Sequence, residues 1–363
     1  MFRSLLRDYK LLLLLFLALL IKILSFQKAW VERYYTYGFY PYISKVLRIL
    51  FGWIPFSIGD LFYLCLICFL LYKAIRFGIF LKRRKEKKFL IRVVVKQILH
   101  FALYVYLAFN ILWGLNYDRQ GIATQLQLDV QPYSVEDLRL LTSVLQERVN
   151  NYATGVDSLK RVELNKSRNL FRAAVASYQQ VNGKYPFLAY EGPSIKASFF
   201  SNIGHYFGFT GYYNPFSGEA QLKTTIPFFL KPFVVTHEIA HQLGYGKENE
   251  ANFVAFLVGR QASNIEIRYS IYFEMYLYAF SDLSRKDTAA ARKFRETLHP
   301  QVKRDLEAFS NYLYRTRNII EPVVSSFYDQ FLKWNSQPKG KKTYNEVVTW
   351  LIAYGKKYGL NAI

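Results

Sequence analysis

Residues 9 to 27, "YKLLLLLFLALLIKILSFQ", are apolar except at their ends and at Lys22, and a soluble core has no use for so unbroken a run. At about 1.5 Å of rise per residue, a helix of that length covers roughly the hydrocarbon thickness of a bilayer. Lys22 then has to extend its ammonium group to the interface. No small-x-small cleavage site follows the leucines, so the segment reads as an uncleaved anchor and not as a signal peptide. A second apolar run covers about 58 to 77 and a third about 93 to 113. Three transmembrane helices are therefore expected in an anchor of residues 1 to 118.

Between the second and third runs lies "KAIRFGIFLKRRKEKKFLIR", basic enough for the positive-inside rule to place it in the cytoplasm. Arg3, Arg7 and Lys10 then lie inside as well. The segment "KAWVERYYTYGFYPYISKVLRILFGWIPFS" lies outside, its aromatic residues forming an interfacial belt, and so does everything after about Asn116. In a bacterium this is a multi-pass protein of the inner membrane with its larger part in the periplasm. Residues 1 to 118 hold 18 Lys+Arg against 5 Asp+Glu, more than half of the formal excess of +22. Positive charge laid among apolar segments points to the lipid bilayer as partner, not to nucleic acid. No RNA-binding signature, zinc finger, P-loop or dinucleotide fingerprint appears in the rest. Cys65 and Cys68 sit inside "LFYLCLICFLLY" and read as small membrane-core residues, so no disulfide supports the fold.

From about residue 119 the composition is that of a soluble domain, expected to be α+β and mostly helical. "SVEDLRLLTSVLQERVNNYA" opens on Ser134 as N-cap with acids in its first turn. A second helix is expected over about 162 to 180. "SNIGHYFGFTGYYNPFSGEAQLKTT" is rich in Gly, Tyr and Thr and reads as a β-hairpin turning around Asn214 to Gly218. Further helices are expected at about 268 to 284, 288 to 297, 300 to 314, 318 to 335 and 343 to 357.

The densest chemistry lies in "VVTHEIAHQLGYGKENEANF", residues 234 to 253. Pro232 suits a first helical turn and Gly244 a left-handed helix end, so residues 232 to 243 form about three turns. His237 and His241 then share one face. That i, i+4 spacing brings two imidazoles to one zinc ion, and Glu238 can reach a water beside it, which is the HExxH pattern. An ordinary amphipathic helix also carries two histidines at times, but five histidines in the whole chain make an accidental match rare. Catalytic zinc needs a third protein ligand. In the metzincin pattern this would be a histidine at Lys247, and lysine is no ligand; Met275 sits in a helical setting, not a turn. The next helix offers Glu248 and Glu250. Glu248 shares a face with Asn252, an arrangement suited to a metal ligand with a side chain behind it that orients a histidine, and Glu250 points elsewhere and remains the alternative.

"HEIAHQLGYGKENEANF", preceded by "GYYNPFSGEA" and by spans ending in "WGLNYDR", resembles a family of bacterial membrane proteins catalogued as a domain of unknown function and regarded as zincin-like. "IPFSIGDL" and "KTYNEVVTWLIAY" extend the likeness over nearly the whole chain. It implies a zincin-like domain over 119 to 363. The ExEAN helix is also similar to that of HExxH metallopeptidases whose third ligand is a glutamate, and so implies a gluzincin-type site.

The chemistry expected is zinc-assisted hydrolysis of a peptide bond with Glu238 as general base. Zincins lay substrate along a sheet edge, for which the hairpin of 208 to 225 is the candidate. Tyr212, Tyr213, His205 and Tyr245 are candidates to stabilise the oxyanion or hold substrate, although most of 30 tyrosines must be packing residues. Glu219 is read as a cap of the hairpin, and His100 and His299 as structural. A rival of another class is a non-catalytic zinc-binding scaffold, against which the retained Glu238 argues. The substrate itself, peptide or protein, is not legible.

Overall fold

The computed structural model describes residues 8–83 and 87–363, so Arg3, Arg7 and the centre of the basic loop lie outside the described residues. The first expected span is shorter than its apolar run. Helix α1 (Tyr9–Ser25) has 17 residues, about 25 Å of rise and short of a full hydrocarbon core. Ser25 Oγ turns back to the Lys22 carbonyl, and the polar pair Gln27 and Lys28 ends the apolar stretch. The chain then bends by 94° into α2 (Lys28–Gly52), which includes a π-helical stretch, Val31–Phe39. Among the described residues, two helices are long and apolar enough to cross a membrane by themselves, Ile58–Phe80 within α3 (Ile58–Arg83) and Val93–Leu112 within α4 (Lys87–Leu112); the bent pair makes a third only if its two arms count as one span. Of the three expected spans, the second and third stand on length and composition.

α1 packs along α4. Its capping residue Asp8 faces Lys96 Nζ at 2.6 Å and His100 Nε2 at 3.4 Å, so His100 has the structural place expected of it. The aromatic stretch of α2 folds over the domain end of the spans, where Val31, Tyr35 and Tyr40 bury themselves with Trp113, Leu115 and Tyr117.

The chain beyond the spans is mostly helical: α5 (Val135–Ala153), α6 (Ser167–Val181), the single turn α7 (Gly204–Phe207), α8 (Lys231–Gln242), α9 (Glu248–Gly259), α10 (Ile265–Lys286), α11 (Thr288–Glu296), α12 (Pro300–Thr316), α13 (Glu321–Trp334) and α14 (Val347–Tyr358). Ser134 caps α5 in a reciprocal box with Asp137, which satisfies two orphan N–H groups. A three-stranded sheet completes the α+β fold, with β1 (Ile195–Ala197), β2 (Gly211–Asn214) and β3 (Glu219–Leu222) in the order β1-β3-β2. β1 runs parallel to β3 and β2 antiparallel to it, Tyr212 opposite Gln221 and Tyr213 opposite Ala220. The hairpin turns where expected. Asn214 Oδ1 accepts from the N–H groups of Phe216 and Ser217, and Gly218 supplies the left-handed residue at φ +68°.

Two buried carboxylates join sheet and span. Glu219 accepts from the N–H groups of Ile58 and Gly59, at 3.1 and 2.6 Å, and from Ser57 Oγ. It therefore caps the N-terminus of α3 more than it caps the hairpin. In the other direction, Asp60 of α3 accepts from the Phe199 N–H, from Ser198 Oγ and from the Tyr212 hydroxyl.

Candidate metal centre

α8 starts with Pro232 in its first turn, and every one of its residues is buried, against the sheet on one side and α9 and α10 on the other. It ends as its sequence dictates. Gly244 takes φ +85°, its N–H reaches the His241 carbonyl and the Tyr245 N–H reaches that of Ala240, the two bonds of a Schellman cap. A side chain on Gly244 would crowd Asn116 and Tyr40 at 3.0 Å. The cap sends the chain straight into α9, whose first residue is Glu248.

This turn brings three side chains together. His237, His241 and Glu248, all buried, offer ligand atoms within 4.8 Å of one another. Glu248 Oε2 stands 3.2 Å from His237 Nε2 and 3.6 Å from His241 Nε2. Tetrahedral ligands held about 2.0–2.1 Å from zinc are separated by about 3.3 Å, so the spacing fits such an ion. The donor set fits as well, two imidazoles and a carboxylate. Among the described residues Glu248 Oε2 has only these two imidazoles beside it, at long or poorly aligned distances, and a cation between the three groups would satisfy it.

The surroundings orient these groups. His241 Nδ1 lies 2.7 Å from the Tyr245 carbonyl; with the proton on Nδ1, its Nε2 lone pair faces Glu248. The other oxygen of Glu248 accepts from the Tyr328 hydroxyl at 2.6 Å, and its backbone N–H donates to Gln337 Oε1 at 3.1 Å. Asn252 stands beside His237 and favours its charged form, and its Nδ2 donates to the Tyr278 hydroxyl at 3.3 Å. Burial pulls the His237 imidazole down. Burial acts on His241 too, but the Glu248 and Glu238 carboxylates and the Tyr245 carbonyl outweigh it and lift that imidazole to about 9. For Glu248, burial is overcome by the two histidines, and its pKa is lowered.

Glu238 projects to a different side of α8, toward the start of β2. A Cβ on Gly211 would come within 2.7 Å of Glu238 Oε1, so glycine there makes room for the carboxylate. Oε2 is buried without a partner among the described residues, and desolvation raises the carboxyl to about 8. β2 is an edge strand lying against α8.

The other expected residues fall elsewhere. Glu250 is 1% exposed and faces Gly121 and, at 3.8 Å, Lys247 Nζ, away from the histidines. Tyr212 gives its hydroxyl to Asp60. Tyr213 lies against Trp113, ring centroids 5.2 Å apart, with its hydroxyl 3.5 Å from that of Tyr40. The Tyr245 hydroxyl donates to Gln125 beneath the Arg119 guanidinium, and its contribution to the site is its backbone carbonyl. His205 lines a separate pocket with Lys223 and Tyr312. His299 caps α12, its Nδ1 accepting from the Gln301 N–H.

Several contributors were not legible from local pattern. Trp113 Nε1 donates to the His241 carbonyl at 3.0 Å, Tyr40 and Ser44 hydroxyls donate to the Gln242 carbonyl, and Arg119 donates to that of Gly244. The last carbonyls of α8 are thus satisfied by the N-terminal segment. The Gln242 side chain ties the same helix to Tyr190, Ser194 and Gly218.

No curated protein and no solved structure matches the chain. Residues 35–352, which include both candidate spans and every residue of this centre, match the family described as "Protein of unknown function (DUF3810)", and the chain belongs to that family.

Proposed function

We propose that the chain is a membrane-anchored, zinc-dependent metallopeptidase of gluzincin type. One observation carries the reading: the convergence of His237 Nε2, His241 Nε2 and Glu248 Oε2 within 4.8 Å, one helical residue from a buried and unpartnered Glu238. His237, His241 and Glu248 would hold the ion. Zinc, when bound, supplies Lewis-acid polarisation of a carbonyl and acidifies water. Glu238 Oε2 takes the proton of the attacking water and returns it to the nitrogen of the leaving amine. The edge of β2 offers main-chain N–H and C=O groups to an extended peptide passing over Gly211, where no side chain obstructs Glu238. Asn252 and the Tyr245 carbonyl hold the two imidazoles in register, and Tyr328 fixes the carboxylate. The same reading puts the metal centre at the outer, periplasmic face of a bacterial inner membrane, with residues 9 to 27, the stretch of α1, as a third span.

A non-catalytic metal-bound scaffold has one observation in its favour, the cover that Tyr328 and α13 form over Glu248. Elemental analysis and peptide cleavage by the full chain purified in detergent separate the two. About one zinc per chain is expected, lost in Glu248→Ala and kept in Glu250→Ala and Glu238→Gln. Cleavage of a peptide library is expected from the wild type and Glu250→Ala only. Zinc bound by the wild type with no cleavage of any peptide would leave the scaffold; no zinc in a folded wild type would remove both.

A further inference from the structure

α13 shows an unusual outer face. Val323, Phe327 and Trp334 are 56%, 73% and 77% exposed, and Ile319, just before the helix, is 90% exposed. Spacings of four and seven residues lay Val323, Phe327 and Trp334 along one stripe, interrupted only by Gln330. A soluble surface rarely leaves aromatic side chains so bare in a row.

We propose that α13 is an interfacial helix whose apolar stripe docks into the bilayer at the domain end of α3 and α4, which sets the metal centre at the membrane surface. The occupant follows from depth. Phe331, one turn from Phe327, packs its ring 6.1 Å from that of Phe109, and Phe109 belongs to the apolar span Val93–Leu112. Phe331 therefore sits at the level of the last turn of that span. Phe327 and Trp334 lie only about 6 and 4.5 Å from it along the helix axis. The apolar surface continues to the second span: exposed Phe199 stacks on Phe56 at 6.3 Å, two residues before α3 begins. Ile203 and Phe207, also exposed, sit beside and in the turn α7 that packs on α13. Asn318 Nδ2 ties the approach to α13 to the His205 carbonyl at 3.0 Å.

Charge agrees with lipid as the occupant. Exposed Arg315 and Arg317 precede α13, a basic flank suited to anionic headgroups, while Lys333 in the last turn is neutralised by Asp329 at 2.6 Å. The opposite face of the helix carries Tyr328, whose hydroxyl donates to Glu248. One helix thus touches lipid on one side and a candidate ligand on the other. Resting on the peptidase reading, this narrows the substrate to polypeptide held at the membrane surface, such as the segment flanking another protein's span.

The docking itself is measured without metal or activity, so its failure and that of the peptidase reading are distinguishable. In a Cys65→Ala/Cys68→Ala background, single cysteines at Val323, Phe327 and Trp334, with Ser326 and Lys333 as controls, carry a nitroxide. The full chain is placed in nanodiscs of phosphatidylcholine and phosphatidylglycerol. Oxygen is expected to relax labels at 323, 327 and 334 more strongly than a water-soluble nickel chelate, with the order reversed at 326 and 333. A dominant nickel effect at 327 and 334 would place the face in water and overturn the proposal. So would protection from both reagents, which would mean a protein partner or a second copy of the chain. These positions are exposed, so the substitutions threaten no core. As a label-free measure, quenching of tryptophan fluorescence by brominated phosphatidylcholine is expected to fall in Trp334→Phe.

Discussion

Tyr328 meets Glu248 across eighty residues of chain, and no local pattern in the sequence announces the pair. His237, Glu238 and His241 were legible because helical periodicity alone puts them in place, between a proline that starts α8 and a glycine that ends it. Glu248 and Glu250 could be told apart only by face, and it is the Schellman cap at Gly244 that sets which of them meets the histidines. The tyrosines read from the hairpin depended on contacts with α3 and α2, which the sequence does not display. Removing the hydroxyl in Tyr328→Phe takes a hydrogen bond from the carboxylate without touching its second oxygen. A loss of about tenfold in zinc affinity is expected, measured by competition with a chromophoric chelator. An unchanged affinity would show that Tyr328 only covers the site.

At the scale of elements, the joints between helices are made by buried ions. Arg119, 1% exposed, holds Glu32 of α2 through two hydrogen bonds and the Gly244 carbonyl through a third. Arg119→Met strands the Glu32 carboxylate and is expected to cost about 3–5 kcal/mol, whereas Glu32→Leu/Arg119→Met together should cost far less. Denaturation midpoints of the two variants in detergent check this. Glu274 of α10, away from the three candidate ligands, contributes a pH dependence of its own. Burial alone raises its carboxyl from 4.5 to about 7. A folded pKa above the unfolded one means stability that is full below about pH 4.5 and declines as pH rises through 7. Glu274→Gln should therefore melt like the wild type at pH 4.5 and be more stable at pH 8, by at most about 3 kcal/mol. Most helices were legible from caps and apolar spacing, as with Ser134 before α5. The first span was not, because hydropathy does not foresee the 94° turn after Ser25.

For the whole molecule, the candidate spans and the rest of the chain share one framework. Glu219 caps α3 from the sheet, Asp60 of α3 holds the loop before α7, and Trp113 holds the backbone of a candidate ligand. A fragment of residues 119–363 would keep Arg119 but lose Tyr40, Ser44 and Trp113, leaving the His241 and Gln242 carbonyls without these donors. It is expected to bind zinc more weakly than the full chain, or to aggregate, and side-by-side elemental analysis and size-exclusion chromatography test this. The hydrogen bond from Tyr40 to the Gln242 carbonyl spans 202 positions, and its length has a meaning in time. Synthesis at about 5–20 residues per second delivers Gln242 roughly 10–40 s after Tyr40. Throughout that interval the Tyr40 hydroxyl is without this acceptor, whereas Tyr35 and Thr36 meet theirs, Ile111 and Asn116, after fewer than half as many residues. Biogenesis thus finishes α8 against a surface laid down long before, and a chaperone acting on this chain would have the stretch around Tyr40 to shelter first.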